Sequence, residues 1–126
     1  VVFNTHLDHV SEEARIKGIG VVLDKIAQFG SLPAMIMGDF NVEEDTETYR
    51  SATENFLDVK YQTENPIKSC TYQNWGERLD DDCIDYIMIS KTGFRVNSYN
   101  VVRTTYDGVY PSDHFPITAS LTLTQG

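Results

Sequence analysis

Two apolar segments and a helical repeat between them define the pattern of hydrophobic and polar positions in the first third of the chain. Residues 1–7 and 34–38 are largely apolar and predict two buried strands. Ser11 is a favourable N-cap for a helix between them, and Gly30 is a favourable end. The helix is predicted by apolar residues that recur every three or four positions, at Ile16, Ile19, Val22, Leu23, Ile26 and Phe29. The order strand, helix, strand predicts an α/β or α+β fold.

The rest of the chain predicts one further helix and then mainly strands. The helix is expected over about 46–55, with Asp45 or Thr46 as its N-cap. Two strands are predicted near the end of the chain, over 94–102 and 115–123. The helices therefore lie in the first half of the chain and most strands in the second.

A predicted hairpin occupies the middle of the chain. Residues 69–75 and 83–90 are rich in β-formers and flank a polar loop, so we expect them to pair with each other. The loop contains an acidic run at 80–82, which is typical of a solvated turn. We therefore assign no metal to that run.

Composition narrows the class of protein. The 126 residues, 40% of them hydrophobic, are enough for one domain with one core. A formal charge of −9 argues against non-specific attraction to a polyanion such as duplex DNA, because phosphate contacts need an excess of Lys and Arg. Cys70 and Cys83 are too few for a disulfide framework or a zinc site, so two free thiols are expected. No apolar run approaches the ~18 residues that a transmembrane segment needs.

The candidate chemistry begins where the strand at 34–38 ends. Asp39 and Asn41 are two residues apart, and in a strand that spacing puts both side chains on one face. Ligands of open α/β sheets bind at the carboxyl ends of strands. An Asp-x-Asn turn cap remains an equally simple interpretation. An EF-hand loop fits poorly, because Glu44 stands where that loop needs glycine and a strand precedes it.

Further polar groups stand at the ends of other predicted strands. His6 closes the first strand, and Asp113 and His114 come just before the last one. Each of these has a simpler interpretation as a structural or loop residue. Asp85 is different, because it lies inside the apolar run 84–89, where an unpaired carboxylate is costly to bury. A histidine is a natural partner, since a carboxylate that holds one ring nitrogen leaves the other free for proton chemistry.

Taken together, these segments resemble the motifs of the endonuclease/exonuclease/phosphatase superfamily. The matching segments occur in the family's order: Asn4-Thr5-His6-Leu7, Gly38-Asp39-Phe40-Asn41, Ile84-Asp85-Tyr86-Ile87 and Ser112-Asp113-His114-Phe115-Pro116. The resemblance implies half of a four-layer αββα sandwich, with a mixed, mostly antiparallel sheet and helices on one face. It also implies that residues 1–126 form the C-terminal half of the domain, without the glutamate and asparagine motifs of the first half. A start inside strand-like sequence without Met is expected of such a piece.

The resemblance also implies a role for each polar residue. The catalytic set that it implies is His6, Asp39, Asn41, Asp85 and His114. The metal ligands would be Asp113 and Asp39, and the ion Mg²⁺ or Mn²⁺. Weaker candidates for substrate binding are His9, Arg15 and Trp75. His9 is more simply a solvated or capping residue, and Trp75, Tyr72 and Tyr110 are more simply core or sheet-surface residues than stacking platforms.

The activity implied by the resemblance is metal-dependent hydrolysis of a phosphate ester, by in-line attack of an activated water. The acidic composition favours a small phosphoester, a phospholipid headgroup or a sugar phosphate over duplex DNA. Without its other half the sheet should leave one apolar face bare, so we expect the piece to be inactive alone and to need the missing half or a self-association partner. The alternative is a catalytically silent scaffold that keeps the fold.

Overall fold

The computed structural model describes residues 1–124 and contains two helices and six strands. The helices are α1 (Glu12–Ala27) and α2 (Glu47–Thr53). The strands are β1 (Val2–His6), β2 (Met35–Asp39), β3 (Phe56–Asp58), β4 (Asp85–Ser90), β5 (Phe94–Val101) and β6 (Ile117–Leu123). Short 3-10 turns lie at Val59–Gln62 and Asn74–Gly76. Within the described residues, no helix is long and apolar enough to cross a membrane.

Both helices begin at the predicted caps. The Ser11 Oγ accepts a hydrogen bond from the Ala14 backbone N–H at 3.1 Å, and the Thr46 Oγ1 accepts one from the Tyr49 N–H. After α1 the chain reverses at Gly30, whose φ of 64° lies in the left-handed region that glycine adopts easily. The helical pattern of the sequence therefore translates directly into structure, because it combines a periodic apolar stripe with a cap at one end and a glycine at the other.

The main sheet has four strands in the order β1-β2-β4-β3, and β5 and β6 form a separate antiparallel pair. The β1–β2 pairing is parallel, whereas β2–β4 and β3–β4 are antiparallel. The predicted mixed, mostly antiparallel sheet is confirmed, and so is the α/β (α+β) class. Because β4 runs antiparallel to β1 and β2, its first residue lies at the same edge of the sheet as their last residues.

The core forms two layers, one on each face of the four-stranded sheet. Helices α1 and α2 cover one face, where Ile19 packs with Ile36 and Met88. On the opposite face, Ile87 and Ile89 pack against the inner side of β5 and β6. The expectation of one bare apolar face is therefore wrong for the part of the sheet that β5 and β6 cover. The physical reason is that the apolar residues of the last two strands are buried against this face of the same sheet.

The hairpin predicted for the middle of the chain is wrong. Residues 69–75 form no regular strand: β2 pairs with 85–89 of β4 and β3 with 88–90, and beside Ile84 and Asp85 the Thr71 hydroxyl accepts the backbone N–H groups in place of a strand ladder. They run instead as an irregular segment bonded through the backbone to residues 80–82 and to the loop before β6. The acidic run at 80–82 is an exposed turn, as predicted. Strand β3 is too short to show an alternating pattern and was missed.

Strand β1 is less buried than its apolar sequence predicts. It lies at the edge of the sheet, and Val2 is 64% exposed. The alternate residue Phe3 packs against the helical layer and makes an edge-to-face contact with Phe29. The predicted strand is present, but the prediction that it is buried is wrong for one face of β1, since only its helical side is covered.

Gly38 allows β1 to lie close to β2 just before Asp39. Its φ is 140°, and a Cβ at this position would overlap the Thr5 carbonyl oxygen of β1. We therefore expect Gly38→Ala to lower the free energy of unfolding by about 2–4 kcal/mol, because the pairing next to the polar residues must distort. Urea denaturation measures this change.

Gly20→Ala is the matched control for that substitution. A Cβ at Gly20 meets nothing within 4 Å, and the residue lies inside α1. The same change there is expected to stabilise the protein by about 0.5–1 kcal/mol, because alanine favours the helix. Equal effects at the two glycines would contradict the steric account of Gly38.

Candidate active site

Three of the predicted polar residues lie side by side at one edge of the main sheet. In the strand register, His6 at the end of β1 pairs with Asp39 at the end of β2, and Asp39 pairs with Asp85 at the start of β4. This row follows from the topology, because the ends of two parallel strands meet the start of their antiparallel neighbour. Residues separated by almost eighty positions in the sequence thus become neighbours.

His114 completes the group from the loop before β6. Its Nδ1 is 2.8 Å from Asp85 Oδ2, and its Nε2 is 3.7 Å from Asp39 Oδ2. The Nε2 of His6 lies 3.4 Å from that same Asp39 oxygen. One carboxylate oxygen therefore lies between two imidazoles. The predicted partnership of Asp85 with a histidine is present, and the partner is His114.

Asp39 and Asn41 do not extend β2 as the spacing argument assumed. The strand ends at Asp39, and Asn41 has a left-handed φ of 52°. The Asp39 Oδ1 accepts a hydrogen bond from the Asn41 backbone N–H at 2.8 Å, so the turn cap left open by the sequence is real. The Asn41 Nδ2 donates to the Leu7 carbonyl at 2.8 Å. Asp39 can therefore cap the turn and belong to the site at the same time, because its Oδ1 accepts the Asn41 N–H and its Oδ2 faces the two histidines.

These residues line one open cleft of about 760 Å³. Asp113 also lines it, and the Asp113 backbone carbonyl accepts hydrogen bonds from the N–H groups of Gln73 and Asn74. The full lining consists of Asn4, Thr5, His6, His9, Gly38, Asp39, Asn41, Tyr72, Ile84, Asp85, Ser112, Asp113 and His114. The five residues of the predicted catalytic set and both predicted metal ligands therefore face one space.

Two cleft residues received no functional role from the sequence. Tyr72 lines the cleft, with its ring centroid 5.2 Å from that of His114, rather than lying in the core. Asn4 lies two residues before His6, on the same face of β1. Asn4 belongs to the first of the four motifs, and Tyr72 was considered as a stacking platform but assigned to the core or sheet surface, because its place beside His114 depends on a long-range contact.

Of the three weaker candidates for substrate binding, one lines the cleft and two do not. His9 lines the cleft and is exposed, while Asp8 rather than His9 caps the turn before α1. Arg15 is not part of the cleft lining, because its guanidinium is turned toward the Asp8 carbonyl. Trp75 lies outside the lining too and is 60% exposed on a turn, so its assignment to the core or sheet surface is wrong. The backbone of this tryptophan is left-handed, with a φ of 57°.

Burial and neighbouring charges shift the acidity of the two central groups. Burial raises the pKa of Asp39, helped by the charge of Asp85 and opposed by the Asn41 N–H, His114 and His6. Burial also works against a charged His114, but the hydrogen bond and charge of Asp85 outweigh it, so the pKa of His114 is raised. The cleft therefore holds an imidazole that keeps its proton to higher pH than a free histidine does.

The raised pKa of His114 predicts the direction of a pH effect on stability. A folded pKa above the unfolded value of 6.5 means that the charged pair contributes fully below that pH. The contribution is lost as the pH rises through the folded pKa. We expect the free energy of unfolding of wild type relative to His114→Gln, measured in chelator, to fall as the pH rises from 6 to 9. A difference that grows with pH would contradict the assignment.

The carboxylates of the cleft suit a hard divalent cation. Asp39, Asp85 and His114 offer ligand atoms within 4.8 Å of one another. Asp85 Oδ2 is already engaged by His114, and Asp113 lines the same cleft but lies outside this group. Magnesium typically takes one or two protein carboxylates and completes its shell with water and substrate oxygens. The donor set therefore fits such an ion.

Similar proteins of known structure contain the same fold. A conserved protein of unknown function from Enterococcus faecalis is 32% identical, with a TM-score of 0.83 over 98% of this chain and 50% of that one. A mannosyl-6-phosphatase from Bacteroides thetaiotaomicron is 28% identical, with a TM-score of 0.80 over 97% of this chain and 51% of that one. Human Nocturnin is 26% identical over 118 residues, which cover 82% of this chain and 27% of the human protein. The chain thus spans about half the length of the similar solved structures.

The family itself is identified by its sequence model. That model, described as the Endonuclease/Exonuclease/phosphatase family, matches residues 3–114, a range that contains three of the four sequence motifs in full and Ser112-Asp113-His114 of the fourth. Members of the family act as phosphoesterases, among them nucleases and phosphatases, and are generally dependent on divalent metals. The match, the shared fold and the arrangement of the cleft agree, and this chain belongs to the endonuclease/exonuclease/phosphatase family.

Proposed function

We propose that this chain carries the catalytic face of a metal-dependent phosphoesterase that hydrolyses a phosphate ester by in-line attack of water. The observation that carries the proposal is the position of Asp39 Oδ2, 3.4 Å from the His6 Nε2 and 3.7 Å from the His114 Nε2. A scaffold that had lost catalysis has no need to keep one partly buried carboxylate between two imidazoles. The arrangement provides a proton acceptor and two proton donors within reach of one bound phosphoryl group.

Each residue has a separate task in this proposal. Asp39 accepts a proton from the attacking water as the new P–O bond forms. His114, oriented by Asp85 through Nδ1, presents Nε2–H to a phosphoryl oxygen, and Asn41 donates to another with the amide hydrogen not used by Leu7. His6 protonates the leaving oxygen as its bond to phosphorus breaks. The raised pKa of His114 favours the charged form that this task needs.

Asp39 and Asp113 would hold a divalent cation such as Mg²⁺ or Mn²⁺. When bound, the ion supplies Lewis-acid polarisation of the phosphoryl oxygens and charge neutralisation. Its charge also offsets the repulsion that Asp85 exerts on Asp39.

The catalytic unit is proposed to be larger than this chain. Since the chain spans about half the length of its solved relatives, we propose that residues 1–126 form the C-terminal half of the domain. The missing half, or a second copy, would then complete the sandwich beside β5 and β6. On this account activity belongs to the full-length protein, and the chain alone is inactive or severely impaired.

Chelation tests the proposed function. We expect EDTA to lower the rate of phosphoester hydrolysis by the full-length protein at least about 100-fold, because Lewis-acid stabilisation is worth several kcal/mol. Added Mg²⁺ or Mn²⁺ should restore the rate. Hydrolysis that continues unchanged in EDTA would contradict metal dependence, and a protein that hydrolyses no phosphoester would favour the scaffold alternative.

The proposed substrate is a small phosphoester rather than duplex DNA. The charge of −9 disfavours a polyanion, and a mannosyl-6-phosphatase is among the similar solved structures. The same assay, run with a sugar phosphate, a phospholipid headgroup phosphodiester and duplex DNA, separates these classes. A higher kcat/KM for DNA than for the small phosphoesters would overturn this preference.

A further inference from the structure

The Asp85–His114 pair depends on two parts of the chain that do not pair with each other as strands. Asp85 begins β4, whereas His114 lies in the loop before β6, and β6 pairs only with β5 within residues 1–124. The distance of 2.8 Å between His114 Nδ1 and Asp85 Oδ2 must therefore be maintained by something other than a shared strand ladder. The structure shows a segment that contacts both sides, residues 71–73, which we call the bracing segment.

Thr71 binds the Asp85 side of this pair. Its Oγ1 accepts hydrogen bonds from the backbone N–H groups of Ile84 at 3.0 Å and of Asp85 at 3.1 Å. Thr71 is fully buried, so no water stands ready to replace this oxygen. A single hydroxyl therefore fixes the first residues of β4, including the backbone from which the Asp85 carboxylate projects.

The same segment binds the His114 side. The Thr71 carbonyl accepts the Phe115 N–H at 2.7 Å, and the Asp113 carbonyl accepts the Gln73 N–H at 2.8 Å. The Gln73 Nε2 donates to the Ser112 carbonyl at 2.6 Å, and Gln73, like Thr71, is fully buried. The residues on both sides of His114 are thus bonded to the segment that holds Asp85.

We propose that Thr71 is a positioning residue. Its hydroxyl holds the start of β4 so that Asp85 Oδ2 stays within hydrogen-bond distance of His114 Nδ1, and this bond fixes the orientation of the His114 imidazole. Thr71 touches no reacting atom in this account and acts only through Asp85. Without an acceptor at this position, the part-buried N–H groups of Ile84 and Asp85 lose their hydrogen-bond partner. The start of β4 then shifts to find other partners, and the carboxylate moves away from Nδ1.

Two substitutions isolate the hydroxyl. Thr71→Val keeps the shape of threonine and removes the acceptor, whereas Thr71→Ser keeps the acceptor and removes a methyl group. For the full-length protein, and resting on the proposed phosphoesterase activity, we expect Thr71→Val to lower kcat about 10–100-fold, as losses of supporting contacts to a site residue do. KM should change little, because Thr71 does not contact substrate. Thr71→Ser should restore most of kcat.

A matched control is available on α2. Thr48 is also fully buried, but its Oγ1 has no hydrogen-bond partner within residues 1–124. Thr48→Val makes the same chemical change away from the cleft and should leave kcat unaltered. Ile19→Val, a change at a buried core position of α1, shows what a loss of stability alone does to kcat. Should Thr71→Val not fold, Thr71→Cys, with its weaker acceptor, should give a kcat below that of Thr71→Ser.

Two further measurements distinguish positioning from general destabilisation. In an Asp85→Asn background, Thr71→Val should cause almost no additional loss of kcat, because the residue through which it acts is already disabled. In proteins labelled with ¹⁵N-histidine, two-bond ¹H–¹⁵N spectra above the pKa of His114 should show the Nδ1–H tautomer in wild type and Thr71→Ser. Thr71→Val should shift that ring toward the Nε2–H tautomer.

The spectra need no substrate, so they separate this proposal from the proposed function. A tautomer shift in a protein that hydrolyses no phosphoester would overturn the function and support the positioning role. An unchanged tautomer in Thr71→Val, or a kcat loss that is equally large with Asp85→Asn, would overturn the positioning role. A Thr71→Ser protein as impaired as Thr71→Val would overturn it as well.

Discussion

Replacing Asp39 with asparagine is expected to lower kcat for phosphoester hydrolysis by the full-length protein about 100- to 10,000-fold. The amide keeps an oxygen that can accept the Asn41 N–H, so the turn after β2 should survive. It loses the carboxylate charge that faces the Nε2 atoms of His6 and His114 and that is proposed to accept the water proton. Steady-state kinetics, with folding checked by urea denaturation, measure the effect.

Asp24→Asn is the matched control for this prediction. Asp24 is an exposed residue of α1 outside the cleft lining, so the same change there should leave kcat unaltered. A folded Asp39→Asn protein that keeps wild-type kcat would remove Asp39 from the proposed mechanism. A rise in KM alone would give Asp39 a role in binding rather than in the chemical step.

The sequence predicted the parts of this fold whose signals are local. Helix α1 has its own apolar stripe and cap, and strands β2 and β4 have dense apolar runs. The predicted hairpin was wrong because β4 forms its strand pairs with β2 and β3, whereas the 69–75 segment bonds through its backbone to 80–82 and to the loop before β6. No local sequence pattern shows which segments pair with β4.

In the candidate site, too, local sequence signals were predictive and long-range contacts were not. The high cost of a buried charge indicated that Asp85 needs a partner, and the structure supplies His114. Thr71 and Tyr72 stand where the family resemblance places such a pair, but their contacts were not predicted, because the hydroxyl contact of Thr71 and the ring contact of Tyr72 both depend on residues distant in sequence. Arg15 and Trp75 lie outside the cleft lining: the Arg15 guanidinium donates to the nearby Asp8 carbonyl, and Trp75 is exposed on a turn.

A second ionic group lies outside the cleft, around a buried lysine. The Lys60 side chain is only 5% exposed and its ammonium contacts Glu44 at bonding distance and Asp58 at 3.9 Å. It also lies over the rings of Tyr61 and Tyr86. Burial opposes the charge of Lys60, but its charged neighbours outweigh this and raise its pKa. The lysine is therefore charged and neutralises two carboxylates, of which Asp58 is nearly fully buried.

Lys60→Met is expected to lower the free energy of unfolding by about 3–5 kcal/mol, because methionine fills the space but leaves the buried Asp58 and the partly exposed Glu44 carboxylates without a counter-charge. Urea denaturation at pH 7 measures the loss. Adding Glu44→Gln and Asp58→Asn to Lys60→Met should recover part of it, because the uncompensated charges are then removed.

Lys17→Met provides the comparison for an exposed pair. Lys17 bonds to Glu13 at 2.6 Å, one turn away on α1, but the two side chains are 74% and 76% exposed. Water screens that pair, so its loss should change the free energy of unfolding by less than about 0.5 kcal/mol. A similar cost for Lys17→Met and Lys60→Met would show that burial does not set the value of the Lys60 group. A Lys60→Met protein as stable as wild type would show that its carboxylates are neutralised by protonation instead.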